Sequence, residues 1–299
     1  MSILELSHVS KCFGDKKVLQ DVTFTVPEKC IFGFIGRNGA GKTTTMKSIL
    51  GLLQTDSGEI TICGEKVAYG QNSANRHIGY LPDVPEFYSY MTAREYLRLC
   101  GEVTGMKSSE IKKRSDELLE LVGLANEKHR IKGYSRGMKQ RLGIAQALIN
   151  RPKLLICDEP TSALDPVGRK EILDILSAAK EQTSVLFSTH ILSDVEKISD
   201  RIALLEGGKI VVSGTIEEIK LMRSEPDIEL SLQNADDTAK VAKEFPSAEL
   251  QEGKIIFKDA SAEQAEHILS FVAAQHIPII RFERHEANLE DLFMEVIGK

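Results

Sequence analysis

The chain has 299 residues, of which 42% are hydrophobic and 27% charged, and its formal net charge at neutral pH is -6. This is the composition of a globular protein that is long enough for one large domain and a smaller one. The negative balance disfavours nucleic acid as a partner, because phosphate contacts need clustered Lys and Arg side chains.

The first predicted elements are strands at Ile3–His8, Val22–Val26 and Cys30–Ile35, followed by a helix at Thr43–Leu53. The N-terminal segment alternates like a strand and lacks the apolar core of a signal peptide. Nowhere does an apolar run reach the ~18 residues that a bilayer-spanning helix needs. We therefore expect a soluble, cytoplasmic protein that reaches a membrane only through a partner.

The middle of the chain changes from strands to helices. Ile60–Cys63 and His77–Tyr80 are predicted to be short strands. Leucines and charges at three- and four-residue spacing then predict helical structure from Thr92 to about Leu124, and a further helix from Arg136 to about Ile149.

A buried parallel sheet is predicted after these helices. Lys153–Cys157 and Ser184–Ser188 are short apolar runs that flank a helix at Val167–Lys180, which is the pattern of a βαβ unit. Ile202–Leu205 and Lys209–Ser213 then form a predicted hairpin.

A composition shift at Met222–Pro226 predicts a boundary between a domain at residues 1–221 and a second one at residues 222–299. Strands and helices alternate in the second domain, which predicts a small α+β module of ferredoxin-like type. Its predicted elements are strand Ile228–Leu232, helix Asp237–Phe245, strands near Ala248–Leu250 and Lys254–Lys258, helix Ala262–Gln275, strand Pro278–Glu283 and helix Leu289–Ile297.

The cysteines are an odd number, widely spaced and without a C-x-x-C pair. They are Cys12, Cys30, Cys63, Cys100 and Cys157. This pattern predicts neither a disulfide framework nor a zinc site. We expect small buried apolar residues in a reducing compartment.

The strongest motif lies at Gly36–Thr43, which reads Gly-Arg-Asn-Gly-Ala-Gly-Lys-Thr and matches the phosphate-binding pattern G-x-x-x-x-G-K-[ST] in full. An apolar strand precedes it and a helix follows, so its backbone N–H groups and the helix N-terminus can hold phosphates. Lys42 is expected to reach the β- and γ-phosphates, and the Thr43 hydroxyl to bind Mg²⁺. The alternative is a glycine turn with an exposed lysine. The predicted nucleotide contacts here are Gly36, Arg37, Asn38, Gly39, Ala40, Gly41, Lys42, Thr43 and Thr44.

An acidic strand end downstream supplies the partner of this loop. The apolar run Leu154–Cys157 is followed by Asp158 and Glu159. Asp158 is expected to hold Mg²⁺ through water, as the acidic residue at this strand end does in other P-loop NTPases. Glu159 is the candidate general base that polarises a water for attack on the γ-phosphate.

Three further segments carry a resemblance to the ABC ATPase family over roughly residues 1–215. Tyr134–Gln140 reads Tyr-Ser-Arg-Gly-Met-Lys-Gln and resembles the family's signature motif, whose usual form is Leu-Ser-Gly-Gly-Gln. Ser162–Asp165 is similar to the loop that links the family's two composite sites, and His190 follows Ser188-Thr189 where the family has a switch histidine.

The resemblance implies an α/β P-loop NTPase core of the ABC type, with an antiparallel β subdomain and a helical subdomain at about residues 84–150. It implies ATP and Mg²⁺ as ligands and a Mg-dependent ATPase activity. It also implies that two copies pair head to tail, as a homodimer or as a heterodimer of paralogues, and bury two ATP molecules between them.

The resemblance assigns residues around each ATP. Phe13 is similar to the aromatic residue that stacks on adenine, the alternative being a core aromatic at a strand end. His190 is similar to the histidine that contacts the γ-phosphate and orients the water, the alternative being a structural histidine. Asp165 belongs to the loop at the dimer interface. The residues assigned to the ATP of the other copy are Ser135, Arg136, Gly137 and Met138. Ser135 is also suited to cap the helix that follows it.

Three residues depart from the family pattern. Asp83 stands where the family has a lid glutamine, and a carboxylate can bind Mg²⁺ but cannot donate a hydrogen bond to the attacking water. Arg136 and Tyr134 replace a small residue and a leucine of the signature. These departures, with the segment Leu289–Phe293, resemble the branch of bacitracin and multidrug-exporter ATPases.

The leading hypothesis is the ATPase subunit of an exporter that works through separately encoded membrane permeases, so that it lies on the inner face of the cell membrane. The aromatic segment Pro85–Met91 is the predicted docking surface, the alternative being local packing beneath a loop. A soluble ABC ATPase for DNA or ribosomes would need a coiled coil or a second cassette, and a P-loop kinase or GTPase would lack the signature. The transported substrate and the role of the C-terminal module are not encoded in these motifs.

Overall fold

The computed structural model describes residues 2–70, 73–221, 226–251, 253–285, 289–290 and 292–293. The chain divides into two units, Met1–Ile216 and Glu217–Lys299. The predicted boundary segment Met222–Pro226, apart from Pro226, and most of the predicted helix Leu289–Ile297 lie outside the described residues. Whether residues 1–221 and 222–299 fold as separate domains stays a prediction.

Strands and helices are interspersed along both units. The strands are β1 (Ser2–Phe13), β2 (Lys16–Pro27), β3 (Ile31–Ile35), β4 (Ser57–Ile62), β5 (Glu65–Lys66), β6 (Ile78–Leu81), β7 (Leu154–Asp158), β8 (Ser184–Thr189), β9 (Arg201–Glu206), β10 (Lys209–Thr215), β11 (Asp227–Leu232), β12 (Glu249–Gln251), β13 (Lys254–Phe257) and β14 (Ile279–His285). The helices are α1 (Lys42–Ile49), α2 (Ala93–Val103), α3 (Ser108–Leu121), α4 (Arg136–Leu148), α5 (Pro166–Ala179), α6 (Leu192–Ile198), α7 (Ile216–Lys220), α8 (Ala235–Glu244) and α9 (Ala262–Ala274).

A six-stranded sheet in the order β10-β9-β3-β8-β7-β6 forms the centre of the first unit. Its neighbouring strands are parallel except for β10, which runs antiparallel to β9. Every residue of β3, β7 and β8 is buried, as expected for parallel strands that are covered on both faces. The predicted βαβ unit and the predicted hairpin are confirmed.

A second, antiparallel sheet of the first unit has the order β2-β1-β4-β5. Phe24 of β2 stacks on Phe32 and Phe34 of β3 with ring centroids 5.4 and 5.2 Å apart. Met46 and Ile49 of α1 are fully buried in the same cluster. The antiparallel sheet therefore packs on the central sheet, which confirms the predicted α/β core with an antiparallel β subdomain.

The second unit has a four-stranded antiparallel sheet in the order β12-β13-β11-β14, with α8 and α9 between its strands in sequence. This βαββαβ order is that of a ferredoxin-like module, as predicted. Its core is separate, and Phe245 packs edge-on against Phe257 and Phe271 with ring centroids 5.5 and 5.6 Å apart.

Several predicted bounds are wrong. The predicted strands Ile3–His8 and Val22–Val26 are parts of much longer β1 and β2, whose register shifts interrupt the two-residue period that would reveal them. The predicted helical stretch Thr92–Leu124 is two helices, because Gly105 turns with φ of 79° between them. Helix α1 ends at Ile49 rather than Leu53, since Gly51 takes a φ of 69°.

Within the described ranges, no helix is long and apolar enough to cross a membrane. The five cysteines are all free thiols. The expectation of buried cysteines is confirmed for Cys30 and Cys157, whereas Cys12, Cys63 and Cys100 are partly exposed.

Candidate functional site

Parallel strands of the central sheet end at one edge, and predicted site residues follow four of them. The loop Gly36–Thr43 follows β3, Asp83 comes shortly after β6, Asp158 closes β7 just before Glu159, and His190 follows β8. Because the carboxyl ends of parallel strands meet at the same edge of a sheet, distant parts of the sequence converge there.

A cavity of about 470 Å³ opens at this edge. The predicted residues that line it are Asn38, Gly39, Gly41, Lys42, Thr43, Thr44, Asp83, Glu159 and His190. Lys16, Val18 and Ser162 line it as well, and no motif in the sequence marks Lys16 or Val18. The predicted residues that do not line it are Phe13, Gly36, Arg37, Ala40, Ser135, Arg136, Gly137, Met138, Asp158 and Asp165.

The phosphate loop lies tightly against β2. Gly41 has a φ of 114°, and a Cβ there would come within 2.8 Å of the Leu19 side chain and 3.0 Å of the Val18 carbonyl oxygen. Glycine is the residue that combines this backbone angle with this close approach. Helix α1 starts at the next residue, Lys42, so its N-terminus faces the cavity.

The Glu159 carboxylate is shared between two nitrogen groups. One oxygen lies 3.1 Å from Lys42 Nζ, and the other lies 2.9 Å from His190 Nδ1. Lys42 Nζ also donates to the carbonyl oxygens of Gly36 at 2.6 Å and Arg37 at 3.3 Å. The residues predicted to bind phosphate, to accept a proton and to orient water are thus in direct contact.

Backbone geometry at the end of β7 directs Glu159 toward the cavity. Glu159 has a φ of 48°, a left-handed conformation that is uncommon for a residue with a Cβ. Its N–H donates to Ser188 Oγ at 3.0 Å, and the same hydroxyl donates to Asp158 Oδ1 at 2.6 Å. Ser188 therefore holds the Glu159 backbone and the Asp158 carboxylate. The role of Ser188 was not predicted from the sequence, although a hydroxyl residue near the end of a buried strand could have indicated it.

The segment between Glu159 and α5 is held by a buried carboxylate. Asp194 is fully buried and accepts from Thr161 Oγ1 at 2.8 Å and from Arg169 Nη2 at 2.6 Å. Asp165 caps α5 by accepting from the Gly168 N–H at 3.1 Å. The cap gives Asp165 a local structural role, and its place at a dimer interface stays a prediction.

The lid residue Asp83 is held by α4 of the same chain. Arg136 Nη2 lies 3.4 Å from Asp83 Oδ1, and Gln140 Nε2 donates to the Asp83 carbonyl oxygen at 2.6 Å. Burial raises the pKa of the Asp83 carboxyl, the Arg136 guanidinium opposes this rise, and the charges of Asp158 and Glu159 add to it. Asp83 therefore lies near charges of both signs, the Arg136 cation and the Asp158 and Glu159 anions.

The signature segment begins α4. The exposed Ser135 accepts from the Met138 N–H at 3.2 Å and so caps the helix, as predicted from its residue type. Tyr134 is only 6% exposed, so it fills the apolar position that leucine holds in the family pattern. Phe13 ends β1 with half of its surface exposed, and Lys11 Nζ lies 5.5 Å from its ring centroid.

The oxygen groups near the cavity suit a hard cation. Thr43 and Asp83 line the cavity, and the buried Asp158 carboxylate accepts a hydrogen bond from the Ser188 hydroxyl. Among the described residues, no three His, Cys, Asp or Glu side chains form a cluster that could hold a metal by themselves. This donor set fits Mg²⁺, which binds through few protein oxygens and keeps phosphate and water ligands.

Two family models match the chain. The model described as "ABC transporter" matches residues 19–162, and the one described as "ATP-binding protein DrrA1-3-like, C-terminal domain" matches residues 214–297. The first match contains the phosphate loop, Asp83, the signature segment and the acidic strand end, and the second covers the ferredoxin-like module.

Related ATP-binding proteins match nearly the whole chain. The ABC transporter ATP-binding protein YxlF of Bacillus subtilis is 38% identical over 99% of both chains. The bacitracin transport ATP-binding protein BcrA of Bacillus licheniformis is 35% identical over 99% of this chain and 98% of its own length. A solved structure of the "ATP binding subunit of ABC transporter" is 34% identical, with a TM-score of 0.66 over 74% of this chain and 93% of its own.

Proposed function

The chain belongs to the ABC transporter ATP-binding proteins, and from this premise we propose that two such chains hydrolyse ATP with Mg²⁺ between them and so drive export through separate membrane subunits. As a member of this family it is the ATP-binding and ATP-hydrolysing subunit of a transporter, and such subunits act with transmembrane permeases. The Mg²⁺ dependence, the dimer, the roles of the site residues and the direction of transport are the proposed parts.

The observation that carries the dimer is the position of the signature. None of Ser135, Arg136, Gly137 and Met138 lines the cavity formed by the chain's own phosphate loop. Ser135 instead caps an exposed helix N-terminus, which attracts anions because of its unpaired N–H groups and partial positive charge. This supports a γ-phosphate supplied by a second copy, whose own signature serves the first copy in return.

The contacts of Glu159 support its role as general base. When ATP binds, the Lys42 ammonium group moves from Glu159 and the loop carbonyl oxygens to the β- and γ-phosphates. Glu159 then accepts the proton of the attacking water, and His190 orients this water from the other side of the carboxylate. Phe13 stacks on the adenine ring.

Thr43, Asp83 and Asp158 are the residues that would hold Mg²⁺. When bound, the ion would neutralise the negative charge that develops on the phosphate oxygens during hydrolysis. Asp83 brings a negative charge to this position where a lid glutamine would bring a neutral amide, so it strengthens cation binding but cannot donate to the water.

The segment Pro85–Met91 supports docking of a permease. Phe87 packs edge-on against Tyr96 with ring centroids 5.0 Å apart, so part of the cluster is local packing. Tyr88 and Tyr90 remain 54% and 59% exposed, and Val84 beside them is 62% exposed. Exposed aromatic side chains of this kind are enriched at protein interfaces. Docking there would hold the chain at the inner face of the membrane, and the likeness to BcrA supports an export direction.

Light scattering on the full-length Glu159→Gln variant tests the dimer. We expect its mass to double when ATP and Mg²⁺ are added, and much less when Mg²⁺ is omitted. Ser135→Arg in the same background should bind ATP but stay monomeric, whereas Ser109→Arg on the exposed start of α3 should dimerise normally. A mass that ATP does not change would contradict the proposal.

Copurification tests the docking surface. A permease encoded beside this chain should copurify with the native protein and be lost from the Tyr88→Ala/Tyr90→Ala variant. Tyr69→Ala is the matched control, because Tyr69 is a similarly exposed tyrosine, at 63%, outside this segment. Undiminished copurification of the double variant would remove this segment from the proposal.

A further inference from the structure

Asp83 lines two neighbouring cavities of the first unit. It lines the nucleotide cavity, and it also lines a groove of about 470 Å³ along α4 together with Arg136 and Gln140. Gln140 is fully buried and holds the Asp83 backbone, while Arg136 contacts the Asp83 side chain. One residue of the chain's own ATP site is therefore fixed by the helix that serves the ATP of the other copy.

The two side chains of this pair have room to separate. The side chains of Asp83 and Arg136 are 47% and 44% exposed, and Asp83 Oδ1 lies 3.4 Å from Arg136 Nη2. The Gln140 bond anchors only the backbone of Asp83, so its carboxylate can turn without moving the lid. The negative charges of Asp158 and of Glu159, which lines the cavity, oppose such a turn until a cation that the Asp83 carboxylate can bind enters the cavity.

We propose that the Asp83–Arg136 pair couples the two ATP sites of the dimer. The Asp83 carboxylate stays paired with the Arg136 guanidinium until ATP and its cation enter the chain's own cavity. The cation then attracts the carboxylate. Arg136 is then released to bind the triphosphate that the second copy holds. This inference rests on the proposed function, because it needs that second copy.

The coupling has a defined sign and size. Filling the chain's own site removes an internal competitor for Arg136, so it raises affinity for the ATP of the second copy, and linkage makes the effect reciprocal. Dimer formation should therefore depend cooperatively on ATP. For an ion pair as exposed as this one, the effect on the ATP concentration at half dimerisation is about two- to fivefold.

A double-mutant cycle in the full-length Glu159→Gln background measures the coupling. Dimer formation is followed by light scattering against ATP concentration at constant Mg²⁺ for Asp83→Asn, Arg136→Gln and the two combined. Asp83→Asn also removes a carboxylate near the cation, but this effect is the same with and without Arg136→Gln and so cancels in the cycle. We expect Asp83→Asn to lower the Hill coefficient of dimer formation. Its effect on the ATP concentration at half dimerisation should differ by about two- to fivefold between chains with Arg136 and chains with Arg136→Gln.

Two controls separate this role from general charge loss. Arg136→Lys keeps a cation and should keep most of the coupling. Lys139→Gln removes a charge from the same groove and should leave the effect of Asp83→Asn unchanged.

The outcomes are distinct. If the Glu159→Gln chain dimerises with ATP but Asp83→Asn has the same effect with and without Arg136, the coupling is overturned and the proposed function stands. If ATP never changes the mass of the Glu159→Gln chain, the proposed function fails and the coupling fails with it.

Discussion

The ammonium nitrogen of Lys42 lies 3.1 Å from a carboxylate oxygen of Glu159, and the two side chains are only 5% and 13% exposed. The lysine proposed to bind phosphate is thus paired with the residue proposed to activate water. Because a buried charge needs a partner, we expect entry of a triphosphate to replace Glu159 as the anionic partner of Lys42 and to leave Glu159 available as a base.

Glu159→Gln should reduce ATP turnover by about 10²–10⁴-fold, because an amide cannot accept the proton of the attacking water. ATP binding should persist, since the substitution also removes the carboxylate that competes for Lys42. Phosphate release and ATP titration measure the two effects separately. Glu120→Gln, on the exposed face of α3, is the control. Turnover near the native rate would show that Glu159 is not the base.

Lys42→Ala should abolish measurable ATP binding, because it removes the cation expected at the β- and γ-phosphates. Calorimetric titration with ATP and Mg²⁺ measures the loss, and circular dichroism checks that the variant folds. Lys47→Ala removes an exposed lysine from the last turn of the same helix and should bind ATP normally. Micromolar or tighter affinity in the Lys42→Ala chain would contradict the role of the phosphate loop.

Gly79→Ala should destabilise the first unit. A Cβ at Gly79 of β6 would lie 2.1 Å from the Ala147 carbonyl oxygen of α4, so the helix or the strand has to move. Overpacking of this kind costs about 1–3 kcal/mol in the free energy of unfolding. Urea unfolding measures it. Gly133→Ala, where nothing lies within 4 Å of the added carbon, should be close to neutral, and equal stability of the two variants would contradict this packing.

Cys30 and Cys157 should resist alkylation in the folded chain. Burial raises the pKa of the Cys30 thiol to about 11, with the charge of Asp200 adding to the effect, and burial also raises the pKa of Cys157. About one Cys30 thiol in a thousand is then a thiolate at pH 8, and this fraction increases as the pH rises toward 11. Mass spectrometry after iodoacetamide treatment measures modification, with the partly exposed Cys12 as internal reference. Equal rates at Cys30 and Cys12 would contradict the prediction.

Residues 1–221 alone should fold and bind ATP. The hydrophobic cluster around Phe24, Phe32 and Met46 belongs to the first unit, as do all the predicted site residues, and the second unit has its own core around Phe257. Circular dichroism and ATP titration of the truncated chain check this. A fragment that does not fold, or an affinity far below that of the full chain, would place the domain boundary elsewhere.

The sequence determined those features that depend on neighbouring residues. A phosphate loop is a local backbone structure, so Gly41, Lys42 and Thr43 identify it by their spacing. An apolar strand that ends in Asp158 and Glu159 is equally local, as is the capping of α4 by Ser135. The bounds of β1 and β2 were less accessible, because their register shifts break the local period. Lys16 and Val18 could not be recognised as cavity residues, since a strand does not reveal which loop will lie against it.

Only the tertiary structure decided which of these local features meet. Lys42, Glu159 and His190 are in contact because β3 and β7 both lie beside β8 in the sheet, an order that follows from long-range pairing rather than from any segment. Asp83 meets Arg136 because α4 packs closely on Leu81, where a Cβ at Gly143 would come within 2.4 Å of the leucine side chain. The sequence showed Asp83 and Arg136 as two separate departures from a family pattern. Their pairing is a contact between distant segments, and packing of the sheet and the helix brings it about.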